Sequence, residues 1–283
     1  MPRLAIERLD DPRLDPYRHL TQTNLTRWSG LFIAEGKTVV RRLVESRLET
    51  RSVLISEHRA AEAFTWLPES IDSFVVPLDL AQELVGYNFH AGYLACGVRP
   101  APPVLERFLA DVVNSEPERP RTIVVCPNVT DPENIGAIIR IAACFGADLL
   151  LFGRGCSDPF SRRVLRVSMG TAFGIPIFQS DDLVGDLQTL QIDGRFELMA
   201  TALAPDAIPL SRVSRPSRLA LLLGNEAHGL EPEWIARCHR TITIPMAPGA
   251  DSLNVAVAAG IFLHHFTRVA SISELSDGIS DRS

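Results

Sequence analysis

The sequence predicts an α/β protein with two domains, and three observations support this. Short apolar segments rich in β-branched residues alternate with helical segments along most of the chain. A proline-rich stretch at 99–104 interrupts the alternation. The chain has 283 residues, which is enough for two modest domains. We therefore expect a domain at 1–103, a linker at 104–120, a second domain at 121–270 and a flexible tail at 271–283.

The first domain is predicted to be a small α/β unit with a largely parallel sheet. Buried-type strands are predicted at 31–34, 52–56, 74–77 and 93–98, and Glu35–Gly36–Lys37 opens an amphipathic helix after the first of them. A polar helix or arm at 18–29 precedes them. Within this arm, Arg27 is a candidate phosphate contact and Trp28 a candidate base-stacking residue.

The second domain continues the alternation. Its predicted strands share short apolar runs and lie at 122–126, 148–152, 174–178, 197–201, 219–224 and 241–244. Helices are predicted at 161–169, 181–190 and 231–238, and a final helix at 252–268 is apolar on nearly every side. Such a helix must be covered from several directions, so we expect part of it to contact a second subunit of a homodimer.

Composition excludes several classes of function. The most apolar stretch, 253–263, is too short to span a membrane, and the N-terminus lacks the apolar core of a signal peptide, so we expect a cytoplasmic protein. The five cysteines form no C-x-x-C pair and the histidines lack zinc-site spacing, which favours reduced thiols and no metal. The net charge of −6 argues mildly against nucleic-acid binding, although binding depends on local patches.

The most informative segment is the strand, loop and helix at 122–146. Asp131 and Pro132 are a typical helix start. The apolar residues of the following helix form one stripe, and Arg140 lies on the opposite side with small residues around it. Because Asn134 and Asp131 stand at the start of the same helix, this arrangement suits a ligand that carries phosphate.

Two later segments also carry chemistry. The run LLLGNE places Gly224, Asn225 and Glu226 at the end of a buried strand, where ligands bind in open parallel sheets. The segment GADSLN leads into the last helix, with Ser252 as a plausible N-cap.

Together the three segments resemble the three motifs of the SpoU family of RNA ribose 2'-O-methyltransferases, in the SPOUT superfamily. The matching residues read NVTDPENIGAIIR, LLLGNEAHGL and IPMAPGADSLNVAVA, in that order. The resemblance covers essentially all of the second domain. The stretch FIAEGKTVVRRLVES is similar to the RNA substrate-binding domain, related in fold to a ribosomal protein, that these enzymes often carry.

The resemblance implies a trefoil knot in the second domain and S-adenosylmethionine as the methyl donor. It assigns donor contacts to six residues, which are Thr201, Gly224, Asn225, Ile244, Met246 and Leu253. It assigns the catalytic roles to five residues, which are Asn134, Arg140, Glu226, Ser252 and Asn254. The implied partners are rRNA or tRNA and a second copy of the chain.

Physical chemistry narrows these roles. A guanidinium stays protonated in proteins, so Arg140 is a poor proton acceptor and a better clamp for phosphate and hydroxyl. Glu226 and Ser252 would orient that clamp, and the sequence identifies no acceptor. Four arginines after the second strand of this domain are candidate RNA contacts, namely Arg154, Arg162, Arg163 and Arg166.

Two other functions remain to be weighed. A catalytically inactive RNA-binding protein on the same fold would not need all five catalytic residues. A nucleotide-binding enzyme of another class would need phosphate-loop chemistry, and the sequence has no Walker motif.

Overall fold

The structure, a computed structural model, describes residues 3–6, 8–21, 30–113, 115–247, 249 and 252–269. Arg27 and the tail expected from residue 271 lie outside these residues. The N-terminal unit comprises Met1–Ala101 and Asp158–Gly174, and the C-terminal unit comprises Pro102–Ser157 and Ile175–Ser283. Residues 158–174, which we expected in the second domain, thus group with the N-terminal unit. Residues 104–120, expected as a linker, group with the C-terminal unit.

The helices begin close to the predicted positions. In chain order they are α1 (Lys37–Val44), α2 (Glu57–Ala63), α3 (Leu78–Val85), α4 (Leu105–Phe108), α5 (Pro132–Phe145), α6 (Arg162–Val167), α7 (Leu183–Ile192), α8 (Pro232–Ile235) and α9 (Val255–His264). Short 3-10 helices lie at Pro12–Tyr17, Thr171–Phe173 and Leu210–Arg212, and π-helical turns at Leu109–Val113 and His265–Val269.

The sheet of the N-terminal unit is mixed. Its strands within the described residues are β1 (Arg3–Ala5), β2 (Leu31–Glu35), β3 (Thr50–Ser56), β4 (Asp72–Val76) and β5 (Tyr93–Val98), in the order β1-β4-β3-β5-β2. β1, β4 and β3 run parallel, whereas β5 is antiparallel to both β3 and β2. The largely parallel sheet that the sequence predicts is therefore present, with β5 as the antiparallel strand among those described.

The sheet of the C-terminal unit is parallel throughout the described residues. Its strands are β6 (Arg121–Cys126), β7 (Leu149–Phe152), β8 (Ile177–Gln179), β9 (Glu197–Thr201), β10 (Ile208–Pro209), β11 (Arg218–Leu222) and β12 (Arg240–Thr243). They lie in the order β10-β12-β9-β11-β6-β7-β8. Every residue of β6 and β7 is buried, as the continuous apolar runs predict for strands covered on both faces.

Helices α5 and α9 pack against each other in the C-terminal unit. The predicted stripe of α5 is fully buried at Ile135, Ile138, Ile139 and Ala142. The next stripe residue, Phe145, is half-buried, with its ring 5.9 Å from the imidazole of His264 on α9. At their N-terminal ends the two helices are joined by the hydrogen bond that Asn254 donates to Asn134.

Candidate active site

A cavity of about 460 Å³ lies at the carboxyl ends of β9, β11 and β12. These ends are adjacent because β11 and β12 both pair with β9 in parallel register. The six residues expected to contact the methyl donor all line this cavity, which are Thr201, Gly224, Asn225, Ile244, Met246 and Leu253. The cavity size falls in the range of sites for drug-sized ligands, roughly 300 to 1,000 Å³. Much of the remaining lining is apolar, including Leu203, Leu230 and Phe262.

Two of the five expected catalytic residues also line the cavity, namely Glu226 and Ser252. Asn134 and Asn254 are connected to it through hydrogen bonds. Arg140 is not among the residues of this chain that line it. The structure therefore brings four of the five together in one chain.

The loop after β11 is closed by hydrogen bonds between its own backbone groups. Asn225 and Gly229 exchange two backbone hydrogen bonds, with N···O distances of 2.8 and 2.9 Å. A Cβ on Gly224 would lie 2.4 Å from the backbone of Gly229 and of Leu230. Glycine is thus required here by the chain itself, whatever the ligand. A larger residue at 224 would displace this loop before it could block a ligand.

The amide of Asn225 joins this loop to the segment between β6 and α5. Its Nδ2 donates to the carbonyl oxygen of Asn128 at 2.8 Å. Its Oδ1 accepts from the backbone N–H groups of Ala227, at 2.9 Å, and His228, at 3.3 Å. Asn225 therefore orders the residues that follow it, in addition to bordering the cavity.

The carboxylate of Glu226 reaches the start of α5. Its Oε1 accepts from Asp131 N at 3.1 Å and from Asn134 Nδ2 at 3.0 Å. Its Oε2 accepts from the N–H of Thr130 at 3.3 Å. Desolvation raises the pKa of Glu226, but the hydrogen bonds from Asn134 and from backbone N–H groups outweigh it, and the net pKa is lowered. Glu226 is consequently a stable carboxylate.

Asn134 links Glu226 to the start of α9 through a second hydrogen bond. Its side chain is buried, and its Oδ1 accepts from Nδ2 of Asn254 at 2.9 Å. The Oδ1 of Asn254 in turn accepts from the N–H groups of Ala256 and Val257, at 2.9 and 3.3 Å. The N-cap of the last helix is therefore Asn254. Our interpretation of Ser252 as the cap was wrong, and its exposed hydroxyl makes no hydrogen bond within the described part of the chain.

Arg140 lies on the exposed side of α5, as the helical spacing predicted. Within the described residues its guanidinium makes no hydrogen bond or ion pair. The N-cap of α5 is Asp131, whose Oδ1 accepts from Glu133 N at 2.8 Å, also as predicted. Gly136, one turn before Arg140 on the helix, is buried.

The arginines expected to contact RNA have different environments. Arg154, in the C-terminal unit, pairs with Asp181 at 3.1 Å with both side chains exposed. Arg162, in the N-terminal unit, lies 3.4 Å from a carboxylate oxygen of Glu35, and its guanidinium stands 4.4 Å from the ring centre of Tyr87. Arg163 and Arg166 are exposed on the same helix. The guanidinium of Arg162 is therefore already engaged by side chains of this protein.

A second cavity, of about 450 Å³, lies within the N-terminal unit. Its lining includes Lys37, Tyr87, His90, Arg162 and Arg166. The sequence drew attention to Glu35–Gly36 and to the arginines separately, but no local pattern indicated that residues near 36, 88 and 166 border one space.

His228 is the functional candidate that the sequence analysis passed over. It lines the first cavity, inside the GNEAHG segment that we had already singled out. Its position within that segment was the available signal. Among the described residues, no cluster of three or more histidine, cysteine or acidic side chains could hold a metal ion. No helix in the described ranges is long and apolar enough to cross a membrane.

Comparison with known proteins agrees with this geometry. Residues 121–264 match the SpoU rRNA Methylase family. A protein of Mycobacterium tuberculosis, named as an uncharacterized tRNA/rRNA methyltransferase, is 35% identical over 274 residues, which cover 92% of this chain and 90% of that protein. The 23S rRNA (guanosine-2'-O-)-methyltransferase RlmB of Acinetobacter baylyi is 30% identical over 190 residues, which cover 67% of this chain and 75% of that protein.

A solved structure extends the likeness to both units. The AdoMet-bound rRNA methyltransferase from Sinorhizobium meliloti has a TM-score of 0.74 at 26% identity, covering 94% of this chain and 98% of that chain. The resemblance found in the three sequence motifs is thereby confirmed, and the chain belongs to the SpoU rRNA methylase family.

Proposed function

We propose that this protein transfers a methyl group from S-adenosylmethionine to a ribose 2'-hydroxyl of rRNA or tRNA. The observation that carries the proposal is the single cavity lined by all six expected donor contacts and by Glu226 and Ser252. Family membership and the 2'-O-methyltransferase among the relatives support the same reaction.

The residues of the first cavity fit the methyl donor. The apolar side chains of Ile244, Met246 and Leu253 provide a dry slot of the kind that an adenine needs. The backbone around Gly224 runs beside the same space. When bound, the donor supplies a methyl group already activated by a sulfonium charge, so the protein needs mainly to align the reactants.

The remaining side chains have two roles: some hold the loops of the site in position, and others bind the target nucleotide and stabilise charge. Glu226, Asn134 and Asn254 hold the β6–α5 loop, the β11 loop and the start of α9 in one register. Arg140 would bind the phosphate and hydroxyl of the target nucleotide and stabilise negative charge on the attacking oxygen. The exposed hydroxyl of Ser252 would help to orient the hydroxyl of the target nucleotide.

RNA is the expected partner, and we propose that the N-terminal unit contributes to its binding. Arg166 is exposed at the second cavity, near the N-terminus of α1, where Gly36 offers no side-chain cap. A basic side chain of this kind neutralises backbone phosphate. Arg163 and Arg154 remain candidate contacts, whereas Arg162 would mainly shape the cavity wall.

A homodimer is the expected assembly. Val257 and Ile261 of α9 are 52% and 39% exposed although the helix is apolar, so a second chain packed on this face would cover them. Ala259, on the same helix, is fully buried within its own chain and is therefore not available to a partner. A partner α5 packed against α9 would also bring an arginine at position 140 toward the cavity of the other chain.

Two further features belong to this proposal. The trefoil knot implied by the resemblance would lie in the C-terminal unit, with the C-terminal stretch threaded through a loop. A protein that modifies rRNA or tRNA would work in the cytoplasm, the compartment that the sequence predicts.

The proposal is tested by methyl transfer with purified protein. Labelled S-adenosylmethionine and RNA from cells that lack the gene should give label in RNA, located at ribose because 2'-O-methylation blocks alkaline cleavage. Met246→Asp should weaken donor binding at least about tenfold in calorimetry, since a charge would enter an apolar slot. Ile192→Asp is the matched control, because Ile192 is 74% exposed and outside the cavity.

The outcomes separate the alternatives. Donor binding without transfer to any RNA would favour the catalytically inactive RNA-binding protein. Label on a base in place of the ribose would contradict the assigned chemistry. Equal donor affinity in both aspartate variants would place the donor elsewhere.

A further inference from the structure

Methyl transfer from a sulfonium to a hydroxyl releases one proton, so a transferase site benefits from an acceptor for it. The inference below rests on the proposed function and concerns the same cavity. Arg140 is excluded as the acceptor because its guanidinium stays protonated. Serine, threonine and asparagine side chains are too weakly basic for the task.

Glu226 is also a poor acceptor. Each of its carboxylate oxygens already receives hydrogen bonds, from the Asp131 N–H and the Asn134 amide on Oε1 and from Thr130 on Oε2. These donors lower its pKa, and a carboxylate with a lowered pKa has a reduced affinity for a proton. Its contacts serve to hold the two loops together.

His228 has the opposite character. Its imidazole is exposed and lines the cavity, and within the described part of the chain it takes part in no hydrogen bond or ion pair. Its backbone, by contrast, is held: the N–H donates to Oδ1 of Asn225 at 3.3 Å, and the next residue, Gly229, is tied back to Asn225. A free ring on an ordered backbone can meet a substrate without first breaking an internal contact.

The electrostatic surroundings of His228 are simple. Among the described residues that line the cavity, the other titratable side chain is Glu226, on the same loop. The ends of β9 and β12, the segment at 252–253 and α9 contribute hydroxyl and apolar side chains. Among these lining groups, the imidazole is therefore the one whose ring nitrogen can accept a proton without giving up an internal hydrogen bond.

We propose that His228 accepts the proton of the ribose 2'-hydroxyl. The hydroxyl oxygen forms a bond to the methyl carbon while the carbon–sulfur bond breaks and its electron pair stays on sulfur as a thioether. The proton passes to a ring nitrogen of His228, and the imidazolium then releases it to water. Arg140 would lower the pKa of the same hydroxyl from its phosphate side.

The test is a single-turnover pH profile of the full-length protein with its RNA. For wild type, the rate should rise with pH as the acceptor loses its proton and then level off. His228→Asn should lose at least about 100-fold of the rate near pH 7 and lose this rise. In His228→Ala, added imidazole should restore part of the rate, which a purely structural role would not permit.

The matched control is His58→Asn. His58 is exposed on α2 in the other unit, and its replacement should leave both rate and profile unchanged. Thermal melting and calorimetry with S-adenosylmethionine should show that both asparagine variants fold and bind the donor.

Three results would overturn the assignment. A His228→Asn enzyme with the wild-type rate and profile would exclude His228 as acceptor. Loss of donor binding in that variant, with no imidazole rescue in His228→Ala, would make it a binding residue. If the wild-type protein transfers no methyl group to any RNA, the proposed function itself fails. The wild-type assay alone therefore distinguishes failure of the proposed function from failure of the His228 assignment.

Discussion

The polar side chains of the site fall into two regions that differ in how they are held. In the first region, Glu226, Asn134 and Asn254 form a continuous chain of hydrogen bonds that ends at the backbone of α9. In the second region, Arg140, Ser252 and His228 are exposed and make no side-chain hydrogen bond within the described residues. The difference separates residues that build the site from residues that remain available to a substrate.

The same contrast recurs on α6 in the N-terminal unit. Arg162 is engaged by Glu35 and Tyr87, whereas Arg166, one turn later, is exposed at the second cavity. A basic side chain that already has a buried partner must give up that contact before it binds phosphate. The free arginine can bind at a lower cost, so the two should respond differently to substitution.

The largest expected effect belongs to Arg140. Arg140→Ala removes a charge that would stabilise the transition state, so methyl transfer should fall by about two to three orders of magnitude. Because the side chain is exposed, unfolding free energy should change by no more than about 0.5 kcal/mol. Methylation assays quenched at fixed times measure the rate of methyl transfer, and thermal melting measures the stability.

Arg140→Lys is the informative companion variant. Lysine keeps the charge but cannot hold phosphate and hydroxyl in one planar fork, so we expect poor rescue. Full activity of the alanine variant would remove Arg140 from the catalytic set. Loss of folding would show that its role is structural and would break the division between the two regions.

A smaller effect, on stability, is expected for Asn134. Asn134→Ala removes two hydrogen bonds of a buried side chain, one to Glu226 and one to Asn254, so unfolding free energy should fall by about 1 to 3 kcal/mol. Chemical denaturation measures this change. Asn88→Ala is the control, because the Asn88 side chain is exposed and pairs only with Gln82 among the described residues. Equal stability of the two variants would mean that the hydrogen-bonded chain contributes nothing to the fold.

The smallest effect is expected for RNA affinity on α6. Arg166→Gln should weaken RNA binding several-fold and reduce the slope of log affinity against log salt by about 1, as loss of one phosphate contact does. Arg162→Gln should instead lower the melting temperature, since it leaves Glu35 without its partner. Filter binding at several salt concentrations, with melting curves for both proteins, distinguishes them. If the two arginines behave alike in both measurements, the contrast on α6 is wrong.

Much of the fold could be predicted because its signals are local. A β-branched run identified β6, a run of leucines identified β11, and an acidic cap with proline after it identified the start of α5. The order of the three motifs was sufficient to recognise the family. The exposed position of Arg140 followed from helical spacing alone.

The errors share a different origin. Ser252 and Asn254 are both good cap residues, and only the position of Asn134, 120 residues earlier, makes Asn254 the cap. Glycine at 224 reads as room for a ligand until Gly229 is seen to fold back against it. Similarly, an apolar helix offers several candidate outer faces, and its packing on α5 decides that Ala259 is buried while Ile261 is exposed.

The sequence by itself therefore determined most strands and helices of the C-terminal unit, although not α4 or β10, together with the identity of the motif residues and the family. Periodicity, caps and residue order are properties of short segments, and short segments can be read without their surroundings. Only the tertiary structure decided that 158–174 groups with the N-terminal unit and that β5 runs antiparallel. It also decided which polar side chains of the site are hydrogen-bonded to other residues and which remain available to a substrate. Those outcomes depend on contacts between segments far apart in the chain, where several pairings satisfy the local pattern and packing selects one.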